Sequence, residues 1–145
     1  MIRQVTRIYV ADLPVARFFD EFTSAIDEVF LKELFNEYHV SQSPGSVITK
    51  AKIDKNGNPY AYAFVSFETR EDAINAITEF NYIKLDNIPI RLVLADEETT
   101  NLIHSPDAKL KITNLDPKIE VSQLHEAFSN FGEIVSCKID GEIEP

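Results

Sequence analysis

Between residues 58 and 67 the chain reads NPYAYAFVSF, three rings interleaved with two alanines. Side chains on a β-strand alternate between its two faces. Tyr60, Tyr62, Phe64 and Ser66 therefore share one face, and Ala61, Ala63, Val65 and Phe67 share the other. Alanines allow a helix to approach a sheet closely, so the second face is the one predicted to lie under helices. The rings then stand on a face left open. The reverse assignment would expose Val65 and Phe67 and leave the helices' apolar stripes with nothing to cover.

The flanking sequence supplies the other layers. RIYVADL, residues 7–13, predicts a short strand with Ile8 and Val10 on one face and Tyr9 on the other, ended by Pro14. A segment carrying Phe18, Phe19 and Phe22 follows, and it is expected to pack against the first helix. Ser24 with Asp27 three residues on reads as a helix N-cap pair, and the helix is expected to run to about His39. Its stripe is Ile26, Phe30 and Leu34, widened by Leu31, Phe35 and Tyr38. VITKAKID is a second strand, and Asn56-Gly57 predicts a hairpin turn with positive φ at both central residues. REDAINAITEF, residues 70–80, reads as a helix with Ala73, Ala76, Ile77 and Phe80 on one side. IPIRLVLA closes the unit as a fourth strand. The order β-α-β-β-α-β predicts an α+β, ferredoxin-like sandwich over residues 1–95.

Residues 96–108, DEETTNLIHSPDA, read as a polar linker. The pattern then restarts: KLKITNLD has the shape of RIYVADLP, IEVSQLHEAFSNFG reads as a helix with Gly132 as its stop, and EIVSCKID as a strand. Residues 109–145 are thus expected to form an incomplete second copy. It lacks the third strand that would lie between its first and second, and a piece of this size seldom folds unaided. Residues 97–145 are accordingly expected to be poorly ordered or to lean on the first unit.

Bulk properties narrow the function. The net charge is −10 over 145 residues, which argues against a typical nucleic-acid binder because such affinity comes largely from Lys and Arg on phosphates. The charge is uneven. Residues 1–95 hold 10 basic and 13 acidic residues, a net of −3, whereas residues 96–145 hold 4 and 11, a net of −7. No apolar run reaches about 18 residues, so no membrane span or membrane partner is expected. The N-terminus lacks a secretory apolar core. The lone Cys137 excludes an internal disulfide and any CxxC site. His39, His104 and His125 are scattered, without nucleophile or metal spacing around them. An enzyme on this architecture that cradles an anion would need an arginine loop. The loop after the first strand offers only Arg17 among phenylalanines. No catalysis, metal or cofactor is expected.

Two motifs carry a resemblance. Tyr60-Ala61-Tyr62-Ala63-Phe64-Val65-Ser66-Phe67 fits six of the eight positions of K/R-G-F/Y-G/A-F-V-x-F/Y. Ile8-Tyr9-Val10-Ala11-Asp12-Leu13 places an aromatic between aliphatics before x-N/D-L. Together, with the helices and hairpin between them, they resemble the RNA recognition motif family. YAYAFVSF, DAINAITEFNY, LKITNLD and FGEIVSCKI are similar to the first and part of the second motif of the cytoplasmic poly(A)-binding branch. The resemblance implies non-catalytic binding of single-stranded RNA, A-rich mRNA or a poly(A) tail. It also implies protein partners in translation or mRNA stability and a cytoplasmic, and also nuclear, place. A protein-interaction module using the helical face is the alternative.

In this family the first and third strands are central neighbours, so Tyr9, Tyr62 and Phe64 are expected to form one stacking platform. Lys50 and Lys52 on the second strand and Arg91 on the fourth are expected at its rim, facing phosphates, with Tyr60 at its edge. Three departures stand out. Tyr60 occupies the basic first position of the long motif. Leu94-Ala95-Asp96-Glu97-Glu98 puts acids where the family has basic and polar residues, and these would repel a phosphate path. Lys111 stands where the second unit should carry its aromatic.

Overall fold

The computed structural model describes residues 5–15 and 28–139. Four strands make the main sheet: β1 (Thr6–Leu13), β2 (Val47–Ile53), β3 (Pro59–Phe67) and β6 (Arg91–Leu94), in the order β2-β3-β1-β6. Every pairing in it is antiparallel. Helices α1 (Glu28–Leu34) and α2 (Arg70–Phe80) belong to one side of the sheet, and β4 (Lys84–Leu85) with β5 (Ile88–Pro89) forms a small separate hairpin. This is the ferredoxin-like β-α-β-β-α-β arrangement, an α+β fold.

The core follows the alternation in β3. Ala61, Ala63, Val65 and Phe67 are buried, with Ile8 and Val10 beside them and Ala73 and Ala76 of α2 above. Alanines on both the strand and the helix bring the layers close. Phe35 fills the space at the end of α1, meeting Phe67 edge-on at 5.7 Å and Phe80 at 5.5 Å. Helix α2 starts on Thr69, whose hydroxyl oxygen accepts from the Asp72 backbone N–H at 3.1 Å. Asp72 returns the favour by accepting from the Thr69 hydroxyl at 2.8 Å and lies 3.3 Å from His39 Nδ1.

A bulge sets the frame of β1. Val10 pairs with Ala63, yet Leu13 pairs with Ala61, so β1 spends one residue more than β3 over this step. The extra residue lets Leu13 rejoin Ile8 and Val10 in the core. Asp12, at the bulge, takes a left-handed φ of 66°, which Asp tolerates better than most residues.

Several expectations need correction. The hairpin between β2 and β3 has positive φ at Gly57 alone. Gly57 N–H donates to the Asp54 carbonyl at 3.0 Å, while Asp54 Oδ1 accepts from both Asn56 and Asn58 N–H groups at 2.9 Å. The Asp54 side chain organises this loop, so Asn56 has no need of the left-handed region. The turn with two positive-φ residues is Asp86-Asn87, joining β4 to β5. The first helix ends at Leu34 and continues as a 3-10 turn over Asn36–Tyr38, with His39 at φ 58°. Ser24, Asp27, Arg17 and the three phenylalanines of residues 18–22 lie outside the described residues.

The stretch 96–108, expected as a polar linker, carries regular structure. It holds α3 (Glu97–His104) and a 3-10 turn at Pro106–Ala108. Asp96 caps α3, accepting from Thr99 N–H at 2.7 Å, and Glu97 and Glu98 lie in its first turn, where the helix dipole favours acids. Beyond it, residues 109–115 and 133–139 form no strand, and α4 (Val121–Ser129) is the regular element. That helix leans on the first unit. Its Val121 and Leu124 are buried, His125 Nδ1 meets the Tyr82 hydroxyl at 2.5 Å, and Lys84 Nζ sits 2.9 Å from Glu120 Oε2 just before α4.

Candidate nucleic-acid interface

The face of the main sheet opposite α1 and α2 carries a run of rings. Register places Tyr9 of β1 across from Phe64 of β3. Ring centroids lie 5.4 Å apart for Tyr9–Phe64, 5.6 Å for Tyr9–Tyr62, 6.0 Å for Tyr62–Phe64 and 5.9 Å for Tyr60–Tyr62. Tyr60 and Tyr62 are nearly parallel, at 19°. Tyr9, Tyr62 and Phe64 are half-buried by one another, and Tyr60 at the edge is 39% exposed. Burial pushes the Tyr9 phenol above its ordinary pKa, so its hydroxyl stays protonated near neutral pH.

The cations are distributed unequally. Lys50 and Lys52 pair across β2–β3 with Tyr62 and Tyr60 and are exposed. Lys52 Nζ stands 5.8 Å from the Tyr62 ring centre. A hydrogen bond with the Tyr62 side chain holds the Lys52 ammonium above its usual pKa. Arg91 is engaged elsewhere. Its Nε donates to Asp12 Oδ2 at 2.5 Å, Nη2 to Oδ1 at 3.3 Å, and Nη1 to the Ser136 hydroxyl at 3.3 Å. Lys138 Nζ joins the same carboxylate at 3.6 Å. The bulge that turns Asp12 thus provides Arg91 with a bidentate partner. Ala11 and Val93 in this corner are buried, and residues 136–138 reach over it.

The sheet therefore brings together Tyr9, Tyr60, Tyr62, Phe64, Lys50 and Lys52, and it holds Arg91 apart at a closed corner. Two residues of this face escaped the sequence reading. Asp12 was visible only as a motif position. Arg7 could have been found by parity, since it stands two residues before Tyr9 on the same strand; its guanidinium lies over the Phe64 ring, 5.5 Å from the centre. Asp96, one of the acids expected to repel a phosphate path, is already paired. Its carboxylate accepts from Thr99 and meets Arg70 Nη1 at 3.2 Å, and those hydrogen bonds hold it below the usual carboxylate range. Lys111 lies in irregular chain, so no second platform forms among the described residues.

A cleft of about 540 Å³ opens between this corner and the C-terminal stretch, lined in part by Asp12, Tyr60, Tyr82, Arg91 and Lys138. Among the described residues no cluster of His, Cys, Asp or Glu is suited to a metal ion, and no helix is long and apolar enough to cross a membrane.

The family model for the RNA recognition motif matches residues 20–91. The chain is 36% identical over 125 residues to "Polyadenylate-binding protein, cytoplasmic and nuclear" of Encephalitozoon cuniculi, covering 83% of this chain and 23% of that protein. It is 41% identical over 78 residues to polyadenylate-binding protein 2 of Arabidopsis thaliana, covering 54% and 12%. The chain thus spans less than a quarter of the length of these relatives. Among solved structures, RNA recognition domains 1 and 2 of Sex-lethal from Drosophila melanogaster match at 27% identity and a TM-score of 0.45, over 90% of this chain and 71% of that one.

Proposed function

The chain belongs to the RNA recognition motif family through residues 20–91, and from that premise we propose that it binds single-stranded, A-rich RNA on the open face of its sheet, without catalysis. The observation that carries the reading is the ring cluster. Tyr9, Tyr62 and Phe64 lie within 5.4–6.0 Å of one another on the face without helices, with Tyr60 continuing the row.

The geometry suits unpaired bases. A single strand can splay its bases and lay each on a ring, whereas a duplex keeps them stacked on one another. Each stacked base contributes roughly 1–3 kcal/mol, and this term tolerates any base. Lys50 and Lys52 stand beside the rings and neutralise phosphates. With so few cations the binding is carried by stacking, which fits a chain of net charge −10. The adenine preference rests on the relatives, which are named for polyadenylate. The name of the Encephalitozoon cuniculi relative alone supports a place in the cytoplasm and the nucleus.

Titration of labelled oligo(A) and oligo(U), followed by fluorescence anisotropy, tests this. The expected result is saturable binding that favours oligo(A) and is lost in Tyr62→Ala. Equal affinities would leave RNA binding and remove the adenine preference. Binding unaffected by Tyr62→Ala would remove the platform.

A further inference from the structure

We infer that Arg7, and not Arg91, is the cation that meets the RNA backbone on the β1 side of the platform. The inference rests on the RNA-binding reading above and specifies where the strand runs across the sheet.

Arg7 precedes Tyr9 by two residues on β1, so both project from the open face. It pairs with Ser66 of β3, next to Phe64, and its residue is exposed. Its guanidinium stands 5.5 Å from the centre of the Phe64 ring. Lys52 has the equivalent relation to Tyr62 at 5.8 Å. The row of rings along β3 thus has a cation over Tyr62 from the β2 side and a cation over Phe64 from the β1 side.

Arg91 has the opposite circumstances. Both arms of its fork are held by Asp12, its remaining nitrogen meets Ser136, and Lys138 shares the carboxylate. Its side chain is 27% exposed. Releasing it to a phosphate would leave Asp12, beside the incoming anion, with only the longer 3.6 Å contact to Lys138. A base arriving on Phe64 instead displaces the Arg7 guanidinium from the ring face, where it is held weakly. The freed fork lies beside the base it made room for, within reach of that nucleotide's phosphate, and a guanidinium matches phosphate geometry. The strand then runs obliquely, from Lys50 and Lys52 on β2, over the rings, to Arg7 at the start of β1.

The salt dependence of binding counts neutralised phosphates, about 0.7 in slope for each contact to a single strand. The full chain is titrated with labelled oligo(A) at several salt concentrations, as wild type and as Arg7→Ala, Arg7→Lys, Arg91→Ala and Lys32→Ala. Lys32, exposed on α1, controls for the change in net charge. Arg7→Ala is expected to weaken binding roughly tenfold and to flatten the slope by about 0.7. Arg7→Lys should retain the slope, and Arg91→Ala should flatten it less than Arg7→Ala does. Thermal melting of Arg7→Ala at the wild-type temperature excludes an effect on folding. An unchanged slope in Arg7→Ala, or an equal flattening in Lys32→Ala, overturns the inference and leaves RNA binding standing. Wild-type protein that binds neither oligo(A) nor oligo(U) overturns the RNA reading itself, and this inference with it.

Discussion

Residues 6–94 and residues 109–139 begin with similar sequence and end as different structures. Both start with a short aliphatic strand pattern ending in Asp-Leu or Leu-Asp, and both follow with an amphipathic helix. In the first, β3 pairs with β1 on one side and β2 on the other, so two strands distant in sequence share one neighbour. In the second, no counterpart of β3 is described, and its two strand-like stretches stay irregular. Leu110 is 83% exposed, where its counterpart Ile8 in the complete sheet is fully buried, and Phe131, just after α4, is 87% exposed. A strand pattern specifies a strand only when a partner satisfies its backbone groups. The comparison separates what a local pattern can do, which is to make α4, from what needs the central strand.

The sharpest break of that comparison lies in the core. Phe35→Ala removes the ring that joins α1, β3 and α2, and is expected to destabilise the main unfolding transition by about 3–5 kcal/mol in urea titration. Leu124→Ala should loosen α4 and leave that transition in place. Equal effects would mean that the two regions form one cooperative core. Tyr62→Ala comes next. Loss of one stacking ring should cost roughly 1–3 kcal/mol of RNA affinity with little change in melting, since the residue is half-buried on a face without helices.

Tyr82→Phe probes the seam between the regions. It removes the hydroxyl that meets His125, and is expected to weaken α4 docking by about 1 kcal/mol, read as faster amide exchange over 121–129. Burial pushes the Tyr82 phenol up to about 12, so its hydrogen bond is intact across the neutral range. Burial also holds His125 below its ordinary value of 6.5. A depressed folded-state pKa contributes stability that is present above the unfolded value and lost as pH falls through the folded one. Acidification from pH 7 should therefore release α4 first. Asp72 and Asp96, held low chiefly by hydrogen bonds from Thr69 and Thr99, follow the same sign in a more acidic window, below the ordinary carboxylate value of 3.8. The caps of α2 and α3 should loosen there. Amide exchange at stepped pH checks the order, and simultaneous loss of both regions would contradict it.

What could be read from sequence was what repeats at short range. The alternation in β3 assigned both faces of the sheet, and Ala73, Ala76, Ile77 and Phe80 placed α2. The Asp12–Arg91 pair joins residues 79 apart and depends on a bulge that shifts strand parity, which no periodicity shows. Helix α3 had a readable start in Asp96 followed by two acids, but its polar composition suggested a linker. Within the candidate site, parity gave each ring its face, and the family resemblance gave Tyr9 its neighbours on β3. Neither gave the division of cations, because it depends on which arginine the folded sheet has already paired.

The central claim is that RNA meets the ring face of residues 6–94. The most direct measurement is an amide and aromatic NMR titration of the labelled chain with unlabelled oligo(A). The account predicts shifts at Tyr9, Tyr60, Tyr62 and Phe64 and along β1 and β3, with α1, α2 and α4 unmoved. Shifts confined to the helical face or to residues 121–139, or none at saturating oligonucleotide, would contradict it.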